Sequence, residues 1–184
     1  RANGLYGALA HALVASAVDA VLLRALPAVV YTTICYRAIG LAPGGEFFFV
    51  GVVAAANAVT ATLCAAAAVA IRAPNTTVAV CALFCLGLML FGGLLVNGAS
   101  LPPLLALLRR GSYFASAFEL LMIQQIRGRT VRVSVGRSEV GLGAATIMDT
   151  LDLRPSRERA DALVLGLSLP VAAVLHWLAC RLRR

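Results

Sequence analysis

The sequence contains no lysine, because all sixteen basic residues are arginine. A P-loop nucleotide site needs a lysine that reaches the nucleotide phosphates, so no such site lies in these residues. Charged residues of either sign are also few, 13% of the chain, where a soluble domain has about 25%. A His-Glu-x-x-His zinc-protease pattern is missing, and the Gly141–Gly143 stretch lacks the aspartate of an intramembrane aspartyl protease. We therefore expect no catalytic site within this chain.

Polar loops contain no cysteine, since all five cysteines lie inside apolar runs. This placement favours free thiols that behave as small hydrophobic side chains over a framework of disulfides. Cys81 and Cys85 share one face of a helix, but no histidine or further cysteine stands near them in the sequence. The sequence therefore predicts neither a metal site nor a bound cofactor.

Apolar residues dominate what remains: 61% of the chain is hydrophobic and the mean hydropathy is +0.90. They are concentrated in runs of roughly 20 residues or more, the length that a helix needs to cross a bilayer. This composition predicts an integral, multi-pass membrane protein. Because the first long run has no charged leader and no cleavage site before it, we interpret the chain as part of a longer protein.

The expected fold class is an all-α membrane protein with four transmembrane helices. An interfacial helix is predicted over residues 1–17, ahead of the first span. Residues 98–159 begin apolar and become polar and arginine-rich, which predicts re-entrant helices and a loop rather than a fifth crossing. The four spans are predicted at residues 18–41, 47–71, 77–97 and 160–181.

Two polar residues stand in the alanine-rich second span. Asn57 and Thr60 are expected to form hydrogen bonds across a helix interface, because small side chains let neighbouring helices approach closely in lipid. Packing of this kind is favoured over direct contact with a transported molecule.

The stretch from Leu90 to Leu121, LFGGLLVNGASLPPLLALLRRGSYFASAFELL, is the most distinctive part of the chain. An apolar helix is expected to end at Asn97, and Pro102 and Pro103 can reverse the chain. A second apolar helix then carries one acid, Glu119. Irregular backbone at membrane depth is tolerated only where protein or a water-filled space satisfies its polar groups.

These residues closely resemble the membrane domain of the G subfamily of ABC transporters, the White and breast-cancer-resistance-protein type of half-transporter. The resemblance extends over nearly the whole chain, and it implies spans three to six of a six-span type-two exporter membrane domain. The stretches that carry it are Gly4–Gly7, the group Asp19, Arg24 and Pro27, Ile34–Phe49, Phe91–Asn97, Ser100–Pro102, Ser112–Phe114, Ala117–Leu121 and Leu151–Arg184.

In family terms, a nucleotide-binding domain upstream of these residues binds ATP and magnesium and drives export. The resemblance places Gly4 and Tyr6 on the helix that couples that domain to the membrane, and Arg24 at the cavity entrance. Residues 98–159 lie outside the cell in this topology. Their nine arginines run against the preference of arginine for the cytoplasm, which is weak for loops of about sixty residues.

The resemblance also implies roles on the third predicted span and after it. Ala82, Leu86 and Met89 lie on one helical face and match the lining of a central substrate cavity. Leu94 and Leu95 match a hydrophobic valve between that cavity and the exit, although both could be ordinary lipid- or core-facing leucines.

Three further residues are assigned to the re-entrant and exit region: Asn97, Tyr113 and Glu119. For Glu119 two interpretations stay open, a place in an outward polar pathway or a hydrogen bond that fixes the re-entrant helix.

The expected partners are a second half-transporter, identical or different, the lipid bilayer, and an amphipathic small molecule such as a lipid, a sterol or a drug. Nucleic acid is not expected, because the arginine-rich region lacks interleaved aromatic residues. The alternative function is a stand-alone channel, carrier or regulatory membrane protein without an ATPase.

Overall fold

The structure, a computed structural model, describes residues 25–41, 43–71, 73–92, 109–127, 130–135, 138–151 and 153–182. A short 3₁₀ turn, Pro155–Arg157, leads into the last helix. In chain order the described elements are α1 (Leu26–Ile39), α2 (Glu46–Ala70), α3 (Pro74–Phe91), α4 (Tyr113–Ile126), β1 (Thr130–Val135), β2 (Ser138–Gly143), α5 (Ala144–Thr150) and α6 (Glu158–Leu182).

Within the described residues, α2 and the stretch Pro155–Leu182 are long and apolar enough to cross a membrane, each with a mean hydropathy of 2.0. The 25 residues of α2 give a helix of about 37 Å, longer than the hydrocarbon core of a bilayer. Two shorter apolar helices, Leu26–Ile39 and Pro74–Leu90, accompany them. Large apolar side chains are exposed along these helices. The predicted class, a helical membrane protein, is confirmed.

A tight turn reverses the chain between α1 and α2. Helix α1 ends at Gly40, whose φ of 72° lies in the left-handed region that glycine adopts without a steric penalty. The backbone N–H of Gly40 donates to the carbonyl of Arg37, and that of Leu41 donates to the carbonyl of Tyr36. These bonds satisfy carbonyls that the helix end would otherwise leave unpaired.

The same turn is tied to the end of α4. The Gln124 side-chain amide donates to the Gly45 carbonyl over 2.9 Å, and the Gln125 amide donates to the Tyr36 hydroxyl over 3.4 Å. A Cβ at Gly45 would lie 2.2 Å from the Gln124 amide nitrogen and 3.1 Å from the Tyr36 hydroxyl. Only glycine at this position leaves room for both contacts.

We expect Gly45→Ala to lower the free energy of unfolding by about 1–2 kcal/mol, because Gln124 must move away and give up its hydrogen bond. The matched control is Gly51→Ala in the second turn of α2, where a Cβ meets nothing within 4 Å. Alanine there should be neutral or stabilising by about 0.5–1 kcal/mol, since glycine weakens a helix interior. Thermal unfolding midpoints in detergent micelles measure both, and equal shifts would contradict the proposed contact.

The main core joins α2, α4 and α6. Val52 and Val59 on α2 are buried in one cluster with Leu165 and Ala172 on α6. Both pairs are seven residues apart, two helical turns, so each helix presents a single stripe to this cluster. Helix α4 contributes its buried side chains to the same cluster: Tyr113, Ala117 and Leu120.

A two-stranded antiparallel hairpin and α5 follow α4, in the region predicted to hold re-entrant helices and a loop. In the hairpin, Thr130 of β1 pairs with Gly143 of β2, and Val135 pairs with Ser138. These strands were not predicted from the sequence. Beside them, a second small core forms around Ile123 at the end of α4, with members from the chain up to α6: Ile126, Leu153, Met122, Ala144, Ile147, Met148 and Leu151.

Candidate functional site

Helix α4 begins beside the middle of α2 and ends beside the first residues of α2. Its first residue, Tyr113, contacts Thr60, which lies fourteen residues beyond Glu46, about 21 Å along α2 at 1.5 Å per residue. Its last turn contacts Gly45, immediately before α2. The 14 residues of α4 span about 21 Å as well. Helix α4 therefore runs antiparallel to α2, from the middle of α2 to its N-terminal end.

The deep end of α4 is held by a hydrogen bond between hydroxyl groups. The Tyr113 hydroxyl and Thr60 Oγ1 lie 3.0 Å apart, and Thr60 also donates to the Ala56 carbonyl over 2.8 Å. Because Thr60 has one hydroxyl proton, Tyr113 is the donor in this pair. The predicted role of Thr60 across a helix interface is confirmed, and its partner is a residue assigned to the exit region.

A buried ion pair lies on another face of α4. Arg109 Nη2 donates to Glu119 Oε1 over 3.0 Å, and both side chains are about nine-tenths buried. Ser112 caps α4, its Oγ accepting from the Ala115 N–H over 3.4 Å, and the turn between Arg109 and Ser112 is closed by a backbone bond. The arginine thus lies before α4, and its side chain extends along the helix to Glu119. This geometry favours the interpretation that Glu119 fixes the predicted re-entrant helix, here α4.

Polar contacts also join α4 to the first turn of α6. The Ser116 hydroxyl donates to Asp161 Oδ1 over 3.4 Å, and Arg127 donates to Glu158 Oε2 over 2.7 Å. The second pair is exposed, so water screens it and it contributes little. Together with the glutamine contacts to the α1–α2 turn, these bonds place the starts of α2 and α6 at the same end of the molecule.

A cavity of about 540 Å³ lies between α1, α2 and α4. Its size is typical of small-molecule sites, and most of its wall is apolar. No lysine, arginine, aspartate or glutamate lines it. The lining residues are Pro27, Ala28, Tyr31 and Thr32 from α1, Val53, Ala56, Asn57 and Thr60 from α2, and Phe114, Ala117, Phe118 and Leu121 from α4.

The residues predicted to line a central substrate cavity are on α3 and do not line this pocket. Ala82, Leu86 and Met89 lie within one narrow sector of the helix and are all exposed. An exposed apolar face is what a cavity shared with a second copy would require of one chain, and lipid contact would leave the same exposure. Their assignment stays a prediction.

Several predicted site residues lie outside the described residues: Gly4, Tyr6, Arg24, Leu94, Leu95 and Asn97. Within the described ranges, no group of three histidine, cysteine or acidic side chains is placed to hold a metal ion. All five cysteines are described, and each is a free thiol.

Sequence reasoning missed Arg109 and the α1 side of the cavity. Arg109 was counted only among the arginines of residues 98–159, and nothing in its local pattern singles it out. Its one sequence signal is its position, a basic residue shortly before an apolar helix that contains a single acid. The cavity had no signal, because its walls come from three segments far apart in the chain.

Comparison with known proteins agrees with the resemblance found in the sequence. The family model of the ABC-2 type transporter membrane domain matches residues 1–126. The chain is also 26% identical over 168 residues to ABC transporter G family member 24 of Dictyostelium discoideum, covering 90% of this chain but only 14% of that relative. This protein belongs to the ABC-2 type transporter family, as a membrane component of a transporter.

Proposed function

We propose that the chain is the multi-pass, membrane-spanning part of an ATP-driven half-transporter of the G type that exports lipids, sterols or other amphipathic small molecules. The observation that carries this is the path of α4, which starts beside Thr60 at mid-depth and ends beside Gly45. A helix of this kind, added to a match with ABC-2 type membrane domains, supports an exporter whose exit is shaped by a re-entrant segment.

Energy would enter through a nucleotide-binding domain outside these residues, which binds ATP and magnesium. Gly4 and Tyr6 would pass the closing motion of that domain to the membrane helices, and Arg24 would stand at the cavity entrance. A second half-transporter would complete the central cavity against Ala82, Leu86 and Met89.

The first test is the size and activity of the native protein, detected with an antibody to the Val131–Asp152 region. We expect a product several-fold larger than this chain, with vanadate-sensitive ATP hydrolysis after purification and reconstitution in vesicles. A native product of the size of this chain, without ATPase activity, would contradict the proposal. It would instead favour the stand-alone channel, carrier or regulatory protein.

A second expected result concerns the leucine pair. Replacing Leu94 and Leu95 together with alanine should leave assembly intact and change efflux by about tenfold, because a ring of apolar side chains closes a pore by excluding water. Efflux and substrate-stimulated ATP hydrolysis in vesicles measure this. The matched control is Leu86→Ala. Because Leu86 lies on the predicted cavity face rather than at the valve, this variant should alter substrate preference more than the rate of efflux. Unchanged efflux in the double variant would remove the valve assignment.

A further inference from the structure

The cavity between α1, α2 and α4 lies within a single chain, whereas the predicted substrate cavity lies between two halves. Around the turn between α1 and α2, contacts join the three helices that form the cavity. The Arg37 and Glu46 side chains are 3.5 Å apart, Gln125 contacts Tyr36, and Gln124 contacts Gly45. The cavity is therefore formed by this half-transporter alone, whichever second half-transporter pairs with it.

An apolar space of this size leaves its wall without the dispersion contacts that close packing supplies, so an apolar occupant that fills it is stabilised. Water is a poor occupant, since each buried water needs about three polar partners and most of the wall is apolar. Around the mouth, α1 exposes the large apolar side chains Leu26, Val30 and Tyr31. Bilayer lipid can contact such a surface in a membrane-spanning chain, which makes a bilayer lipid the occupant at hand.

The polar groups on the wall determine which head the occupant carries. Four polar residues, none of them charged, line the cavity: Tyr31, Thr32, Asn57 and Thr60. Each of the two threonines donates its hydroxyl proton to a carbonyl of its own helix, Thr32 to that of Ala28 at 2.5 Å and Thr60 to that of Ala56 at 2.8 Å. The threonine hydroxyl oxygens can therefore only accept further bonds, and that of Thr60 already accepts one from the Tyr113 hydroxyl. The complementary ligand group is an uncharged donor, because the wall has no charged side chain to pair with an ion.

We propose that this cavity binds a resident bilayer lipid with an uncharged hydroxyl head, which donates a hydrogen bond to Thr32 or Thr60 while its apolar body fills the space beside Phe114 and Leu121. The lipid stabilises the inserted end of the re-entrant helix against α1 and α2. It is not transported cargo. The proposal goes beyond the exporter function and concerns binding alone, so it stands or falls whether or not the protein hydrolyses ATP.

The test uses two photoreactive probes, a diazirine-bearing hexadecanol and its methyl ether, with the native full-length protein in phosphatidylcholine vesicles. The two probes share the same chain, but only the alcohol can donate a hydrogen bond. We expect the alcohol to label peptides of α1, α2 and α4 about tenfold more than the ether, a factor that corresponds to about 1.4 kcal/mol. Equal labelling by both probes would overturn the proposal.

Variants identify the site. Ala28→Phe fills the cavity from α1 and should cut labelling by the alcohol about tenfold, whereas Ala38→Phe, exposed on the same helix, should leave it unchanged. Thr32→Val keeps the shape of the side chain and removes an acceptor, so it should lower labelling by the alcohol but not by the ether. Labelling that survives Ala28→Phe would overturn the site.

Addition of ATP and magnesium separates the two sources of such an amphiphile. A resident lipid keeps its labelling during turnover, with ATP hydrolysis measured in the same sample to show that turnover occurs. Loss of labelling that depends on hydrolysis would identify the occupant as cargo and overturn the proposal. If the sample hydrolyses no ATP, the exporter function fails, while the comparison of the probes and variants still decides whether the site exists.

Discussion

Replacing Glu119 with alanine is expected to lower the free energy of unfolding by about 3–5 kcal/mol, the usual effect of removing one partner from a buried ion pair. The Arg109 guanidinium, 3.0 Å from the Glu119 carboxylate, would remain buried without that carboxylate. The penalty arises mainly from the weaker compensation of this buried charge, because Asp161, which also interacts with Arg109, does not replace the 3.0 Å contact. A denaturant or thermal titration in detergent micelles measures it.

Two comparisons separate this explanation from a general effect of mutation. The double variant Arg109→Met and Glu119→Leu removes both charges and should be less destabilised than Glu119→Ala alone. The control Arg37→Ala removes a partner from a pair whose arginine side chain is 75% exposed, so its effect should stay below about 1 kcal/mol. Similar losses for Glu119→Ala and Arg37→Ala would contradict the buried-pair account.

The same variants decide between the two interpretations of Glu119. If the carboxylate fixes α4, transport per folded molecule should recover in the double variant, where neither member of the pair is left without the other. If it belongs to an outward polar pathway, transport should stay low in the double variant although the protein is folded. The contact with Arg109 favours the first outcome.

Local signals were enough to predict most helices. Helix α2, Glu46–Ala70, occupies nearly the same residues as the span predicted at 47–71, because glycines precede it and Pro74 follows it. Helix α3 begins at Pro74 rather than at residue 77. Proline is tolerated in the first turn of a helix, where its missing N–H would have no partner.

The β hairpin was missed although its signal is present. Val131, Val133 and Val135 alternate with Arg132 and Ser134, the period of two that is typical of a strand with one apolar face. Because the resemblance is to a helical membrane domain, it predicts re-entrant helices and a loop in this region rather than strands.

Contacts between distant segments could not be read from the sequence. Thr60 and Tyr113 are 53 residues apart, and Ser116 and Asp161 are 45 apart. Each pair is formed only because α4 packs against both α2 and α6. The cavity has the same origin, since α1 contributes to its wall only after the turn at Gly40 brings it back along α2.

The second large effect is expected at the inserted end of α4. Tyr113→Ala should lower the free energy of unfolding by about 3–5 kcal/mol, as for other large aromatic side chains removed from a core. Tyr113 is 6% exposed and lies in the main core cluster with Val59 and Ala117. Its removal opens a space where α4 meets α2 and α6, and this space is too deep for the ends of the helices to close.

The matched variant Tyr113→Phe keeps the ring and removes only the hydroxyl that contacts Thr60 at 3.0 Å. Its cost should be near 0.6 kcal/mol, about the average for hydrogen bonds between membrane helices. Thr60→Val combined with Tyr113→Phe should cost less than the sum of the two single variants, because both remove the same bond. If Tyr113→Phe proves as damaging as Tyr113→Ala, the hydrogen bond rather than the buried ring holds the re-entrant helix in place. If Tyr113→Ala is instead far less stable than Tyr113→Phe, apolar packing of the ring anchors this helix, and the hydroxyl pair sets its register on α2.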